Sequence, residues 1–97
     1  MNPTQAYMRY TTMEIRGEWG HLVYLDLESP SLPQRLRAKV NKEGCWTWEI
    51  HVLKEIPIDN RSCKGWMFAG KTRSKATALN TARDILMREW IRRVGRV

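Results

Sequence analysis

The sequence predicts an α+β fold: an antiparallel sheet of three to five strands with one C-terminal helix packed on one face. Three observations carry this expectation. In "QRLRAKV" (34–40) apolar and basic residues alternate strictly, the period of a strand with one buried face. "CWTWEIHVL" (45–53) alternates again after the turn-like "NKEG" (41–44), so the two segments make a hairpin. In "SKATALNTARDILMREWIRR" (74–93) the period becomes helical. At about 100° per residue, Ala78, Leu79, Ala82, Leu86, Trp90 and Val94 share one face.

The 97 residues read as one domain: an N-terminal arm at 1–10, a hairpin at 12–27, and a three-stranded sheet plus helix over 34–94. "TMEIR" (12–16) and "HLVYLDL" (21–27) are the hairpin strands, joined by "GEWG" (17–20). "ESPSLP" (28–33) is a break rich in Pro and Ser. On the strand at 34–40, Leu36, Ala38 and Val40 point inward, and Arg35, Arg37 and Lys39 outward. On the next, Trp46, Trp48, Ile50 and Val52 point inward, and Thr47, Glu49 and His51 outward.

"KEIPIDNRS" (54–62) reads as a loop, because Pro57 cannot donate to a ladder and Asp-Asn favours a turn. "CKGWMFA" (63–69) is a third strand with Trp66 and Phe68 expected in the core. The reverse facing would set two aromatics beside Lys64 on the open face, as a platform for stacking bases. On the helix, Asp84 with Arg88 and Glu89 with Arg93 are spaced to pair. Arg83 lies inside the apolar arc and needs to snorkel or find a partner. Gly95 stops the helix.

Charge is distributed unevenly. Residues 1–60 carry 7 Lys/Arg against 8 Asp/Glu, whereas residues 61–97 carry 10 against 2. The whole net charge of +7 therefore originates in the C-terminal third, which suggests a polyanionic partner. No apolar run approaches the roughly 18 residues of a membrane span, so no membrane is expected. "MNPTQAYMRYTT" lacks the basic-then-apolar pattern of a secretory signal. An intracellular, cytoplasmic chain is expected, with Cys45 and Cys63 as free thiols in preference to one disulfide. "NRS" (60–62) then reads as a chance sequon.

"GWMFAGKT" (65–72) matches a phosphate loop letter by letter. Such a loop wraps an anion in bare backbone amides, with small or polar residues between its glycines. Here those residues are Trp, Met, Phe and Ala, which read as strand. Nucleotide hydrolysis is not expected. Neither are other catalysis, a cofactor or a metal site: the histidines and cysteines lack ligand spacing, and the acids are scattered.

Lys71, Arg73 and Lys75 do form a cluster at the helix start, with no acid until Asp84. Cations at a helix N-terminus oppose its dipole, whereas an anion docked there favours it. The three side chains are therefore expected to converge on a phosphate.

"GKTRSKATALNTARDIL" (70–86) resembles the last strand-to-helix segment of double-stranded-RNA-binding domains, through Gly70, the basic cluster, Ala76 and Ala82. From Gln34 to about Trp90, the hairpin with its "GCW" entry, the third strand, the basic turn and the alanine-bearing helix are similar to two other families. These are the arm-site DNA-binding domain of phage and transposon integrases and the plant ethylene-response-factor domain. That resemblance implies a viral or mobile-element protein whose open sheet face lies in a major groove.

The expected function is a small non-catalytic nucleic-acid-binding module, for duplex DNA first and RNA as a possibility. Its contacts would be Lys71, Arg73 and Lys75 with Arg35, Arg37, Lys39, Lys64, Arg61, Thr47 and His51. The alternative is a protein-interaction module, such as a small virally encoded inhibitor, using the Trp19- and Tyr24-bearing hairpin (13–28).

Overall fold

Five strands follow one another in sequence and in space. In the computed structural model, which describes residues 8–18, 20–32, 34–43 and 47–94, they are β1 (Arg9–Gly17), β2 (Gly20–Glu28), β3 (Leu36–Glu43), β4 (Thr47–Ile58) and β5 (Arg61–Thr72). They pair antiparallel in the order β1-β2-β3-β4-β5, and α1 (Lys75–Val94) lies on one face. The expected α+β architecture holds, with the sheet at five strands. The expectations for Trp19, Cys45, Trp46, Gly95 and most of the arm fall outside the described residues.

The core follows from the alternation. The register sets Leu25 opposite Ala38 and Leu27 opposite Leu36, then Val40 opposite Ile50 and Ala38 opposite Val52. These side chains, with Trp48, meet Ala78, Ala82, Leu86 and Trp90 of the helix in one buried cluster. Alanine at two of the four helix positions lets the backbone approach the sheet closely. Ser74 caps α1: its carbonyl accepts the first helical bond, from Ala78 N at 2.9 Å, and its Oγ accepts from Thr77 N at 3.3 Å, so one orphan amide is satisfied. Arg83 is exposed and finds a partner in Tyr10, whose hydroxyl donates to the Arg83 carbonyl at 3.2 Å and whose ring lies 5.9 Å from its guanidinium. The spaced helix pairs form, at 3.0 Å for Asp84–Arg88 and 2.8 Å for Glu89–Arg93.

Three expectations are corrected. The strand placed at 34–40 runs instead from Leu36 to Glu43, because Asn41, Lys42 and Glu43 stay paired with Glu49, Trp48 and Thr47. The loop expected at 54–62 is a hairpin, with Ile58 opposite Arg61. Asp59 and Asn60 take left-handed φ values of 49° and 64°, the conformation of a two-residue turn that matches strand twist. Pro57 is tolerated there because β3 pairs with β4 only as far as Val52, leaving a free edge beyond it.

The third correction concerns Trp66 and Phe68, which face away from the helix. The β4–β5 register pairs Ile50 with Gly70 but His51 with Phe68, so Ala69 is the extra residue of a β-bulge. An unbroken register would have set Phe68 opposite the inward Val52. One inserted residue exchanges the faces of everything beyond it. Gly70, at φ 156°, supplies the backbone conformation beside the bulge; a Cβ there would meet only Ile50 Cδ1, at 3.9 Å, so its role is conformational.

Leu86 is fully buried whereas Ile91 on the opposite side is 50% exposed. Leu86→Ala should cost about 2–5 kcal/mol of stability. Ile91→Ala should stay within roughly 0.5 kcal/mol. Urea unfolding followed by circular dichroism distinguishes them, and equal losses would contradict this placement of the helix.

Candidate nucleic-acid interface

The face turned from α1 is built by the other half of each strand's alternation. One cross-strand row runs Tyr24, Lys39, His51 and Phe68 through successive registers. Beside it, Asp26 stands opposite Arg37 and Leu53 opposite Trp66. Aromatic and cationic side chains interleave along these rows. Lys39 Nζ lies 4.4 Å from the Trp66 ring centroid, and the Arg37 guanidinium lies 5.1 Å from that of Tyr24; both are cation–π distances. His51 meets Phe68 edge-on at 5.7 Å. The Tyr24 and Trp66 rings are 6.1 Å apart, although their strands are separated by three gaps of roughly 4.8 Å each. Both rings therefore lean inward over β3 and β4. Trp66 remains 36% exposed and Phe68 56% exposed.

Asp26 organises one end of this face. It is nearly buried, at 7%, and receives a bidentate pair from Arg37: Nε to Oδ1 at 2.8 Å and a terminal nitrogen to Oδ2 at 3.2 Å. Arg35 stands 3.5 Å from the same carboxylate. That hydrogen bonding raises the Arg37 pKa above the ordinary arginine value, so Arg37 holds a fixed charge in a fixed place. Arg35 lies one residue before β3, at its mouth. Gln34, Arg35, Arg37, Leu53 and Lys64 line a shallow cleft there. Two cations thus share one carboxylate, and Lys64 makes no ion pair among the described residues.

The ten residues expected to bind do not form one cluster. Arg35, Arg37, Lys39, Lys64, Thr47, His51 and Lys71 belong to the open side, with Lys71 opposite Glu49. His51 also stands 3.9 Å from Glu49. Arg61 shares the helix-side alternation of Cys63, Gly65 and Met67, at the hairpin tip. The expected convergence of Lys71, Arg73 and Lys75 is not observed. Lys75 turns to the helix side and donates to Glu14 Oε1 at 2.5 Å, an oxygen that also meets His21 Nε2 and Arg16. Arg73 occupies the bend between β5 and α1 and, like Lys71, makes no ion pair among the described residues. Gly70, Lys71 and Thr72 lie within β5, their backbone in the ladder with β4 rather than in an anion-wrapping loop. Tyr24 lies outside the expected nucleic-acid set; the β2–β3 register, which sets it opposite Lys39, brings it onto this face, and no local pattern shows that pairing.

No helix among the described residues is long and apolar enough to cross a membrane. Comparison with protein-family models, with curated proteins and with solved structures finds no match.

The bonds from Lys75 and then His21 hold the Glu14 carboxyl at about 2, below its usual 4.5. A lowered carboxyl pKa contributes stability that is fully present above the unfolded value and is lost as pH falls through the folded one. The stability difference between wild type and Glu14→Gln should therefore be constant above pH 4.5 and shrink as pH falls toward about 2. Urea midpoints measured across that window check it; a difference independent of pH would refute it.

Proposed function

We propose that this chain is a small non-catalytic nucleic-acid-binding module whose contact surface is the open face of the sheet. One observation carries the reading: on that face, Lys39, Lys64 and Lys71 interleave with exposed aromatic rings, on a chain of net charge +7. Cations that neutralise phosphates supply affinity, and aromatic faces supply contacts to bases. The helix cations contribute less, because Arg88, Arg92 and Arg93 already pair with Asp84 and Glu89. A two- or three-stranded ribbon fits a major groove, and the resemblance to integrase arm-site domains favours duplex DNA on this same surface.

A protein partner is the second reading. Met13 and Ile15 are 57% and 48% exposed and belong to the hairpin at 13–28, on the open-face alternation beside Tyr24. Two exposed apolar side chains on one strand suit an interface centre. The adjoining lysines favour the polyanion.

Fluorescence anisotropy with labelled duplex and single-stranded oligonucleotides tests the proposal. Affinity should fall with salt at a log–log slope of roughly −3 to −6. Lys39→Glu with Lys71→Glu should weaken binding roughly tenfold or more near 0.1 M salt, with the circular dichroism spectrum unchanged. Absence of binding to every nucleic acid at low salt would overturn the proposal in favour of a protein partner.

A further inference from the structure

The geometry points to single-stranded nucleic acid as the ligand, with bases stacked on Trp66 and Phe68 and a phosphate in the cleft of Arg35 and Lys64. This rests on the nucleic-acid reading above but departs from its duplex preference, which came from resemblance: the ring spacing favours an unpaired strand.

The spacing carries the argument. Lys64, Trp66 and Phe68 occupy alternate positions on one run of β5, before the bulge. Alternate residues of a strand recur every ~6.8 Å, twice the ~3.4 Å separating stacked bases along one strand of a duplex. Two rings at that spacing can each accept a base only from a strand drawn out of the duplex stack. Within a duplex, moreover, each base face is already covered by its neighbours, and aromatic platforms in proteins take unpaired bases.

The rings are open for this. Trp66 and Phe68 are 36% and 56% exposed. Both stand clear of the buried cluster under the helix, so that cluster does not account for two large aromatic side chains in these places. Their only described ring neighbours on this face are Tyr24 and His51, themselves able to stack or to hydrogen-bond.

Charge places the backbone. The cleft that Gln34, Arg35, Arg37, Leu53 and Lys64 line adjoins Trp66, because Leu53 stands opposite Trp66 in the register. Asp26 fixes Arg37 through two hydrogen bonds and reaches Arg35 only at 3.5 Å. Arg35 and Lys64 therefore keep donors for an incoming phosphate, while Arg37 sets the cleft wall. Lys39 Nζ lies over the Trp66 ring at 4.4 Å, so a base stacking on that face displaces the ammonium, which is then free to meet the next phosphate along. A base on Trp66 would turn its phosphate toward Lys64, and Phe68, the next position on the same side of β5, would take the following base.

The test compares a short oligothymidylate with a duplex of mixed sequence, both labelled, on the intact chain. The single strand should bind more tightly. Trp66→Ala and Phe68→Ala should each lower single-strand affinity by roughly 5- to 150-fold while leaving the salt slope unchanged. Trp66→Phe should retain most of the affinity, because a ring remains to stack on. Arg35→Glu and Lys64→Glu should each make the salt slope shallower by about 0.7. Should Trp66→Ala fail to fold by circular dichroism, Phe68→Ala decides. Tighter binding to the duplex, or single-strand affinity indifferent to both alanine variants, overturns the inference and leaves the broader nucleic-acid reading standing. Binding to neither oligonucleotide overturns both.

Discussion

One α-helix about 10 Å across lies on a sheet of five strands that, at roughly 4.8 Å per strand, is about twice as wide. That mismatch governs the rest of the molecule. The helix covers the strands in the middle, where Leu25, Ala38, Val40, Ile50 and Val52 are buried. The edge strands are left with little to pack against. Met67 shares the helix-side alternation of β5 yet is 47% exposed. Nothing among the described residues covers the far face, which must be made compatible with water or with a ligand.

Water compatibility of that face is only partial. Buried Asp26 and half-buried Arg37 form a fixed pair, and Lys39, Lys64 and Lys71 stand on the same face. Yet Tyr24, Trp66 and Phe68 are on the same surface, with Met13 and Ile15 at its edge. Exposed rings lower solubility unless function retains them, and grouped apolar exposure marks interaction surfaces. Interleaving with cations distinguishes this surface from an apolar interface core, where charges are depleted. The pattern suits a partner that is both flat-ringed and anionic.

The basic cluster at the helix start contributes differently from its appearance in the sequence. Lys71, Arg73 and Lys75 are close along the chain, but strand and helix geometry disperse them. Lys75 is drawn to Glu14 on β1, which fastens the first hairpin to the start of the helix. Only Lys71 remains in line with the open face. Opposition between like charges and the helix dipole is thus relieved for Lys75 by the protein's own carboxylate, and the weight of the binding argument moves to the sheet.

Residue order alone determined a good deal. Strict alternation over Leu36–Val40 and Trp48–Val52 identified the central strands and their inward residues, because a half-buried strand imposes a period of two. The apolar arc of the helix and its Asp84–Arg88 and Glu89–Arg93 pairs were equally legible, being local consequences of helical geometry. Alternation also showed that Lys64, Trp66 and Phe68 share a side. It did not show which side, because that depends on how β5 registers against β4. A single bulge at Ala69 turns both rings outward, and its placement is a property of two strands paired together. The same holds for Asp59-Asn60, where local composition permits either a loop or a tight hairpin and pairing decides. Local sequence sets which residues travel together; only the folded sheet decides which way they look and what they meet.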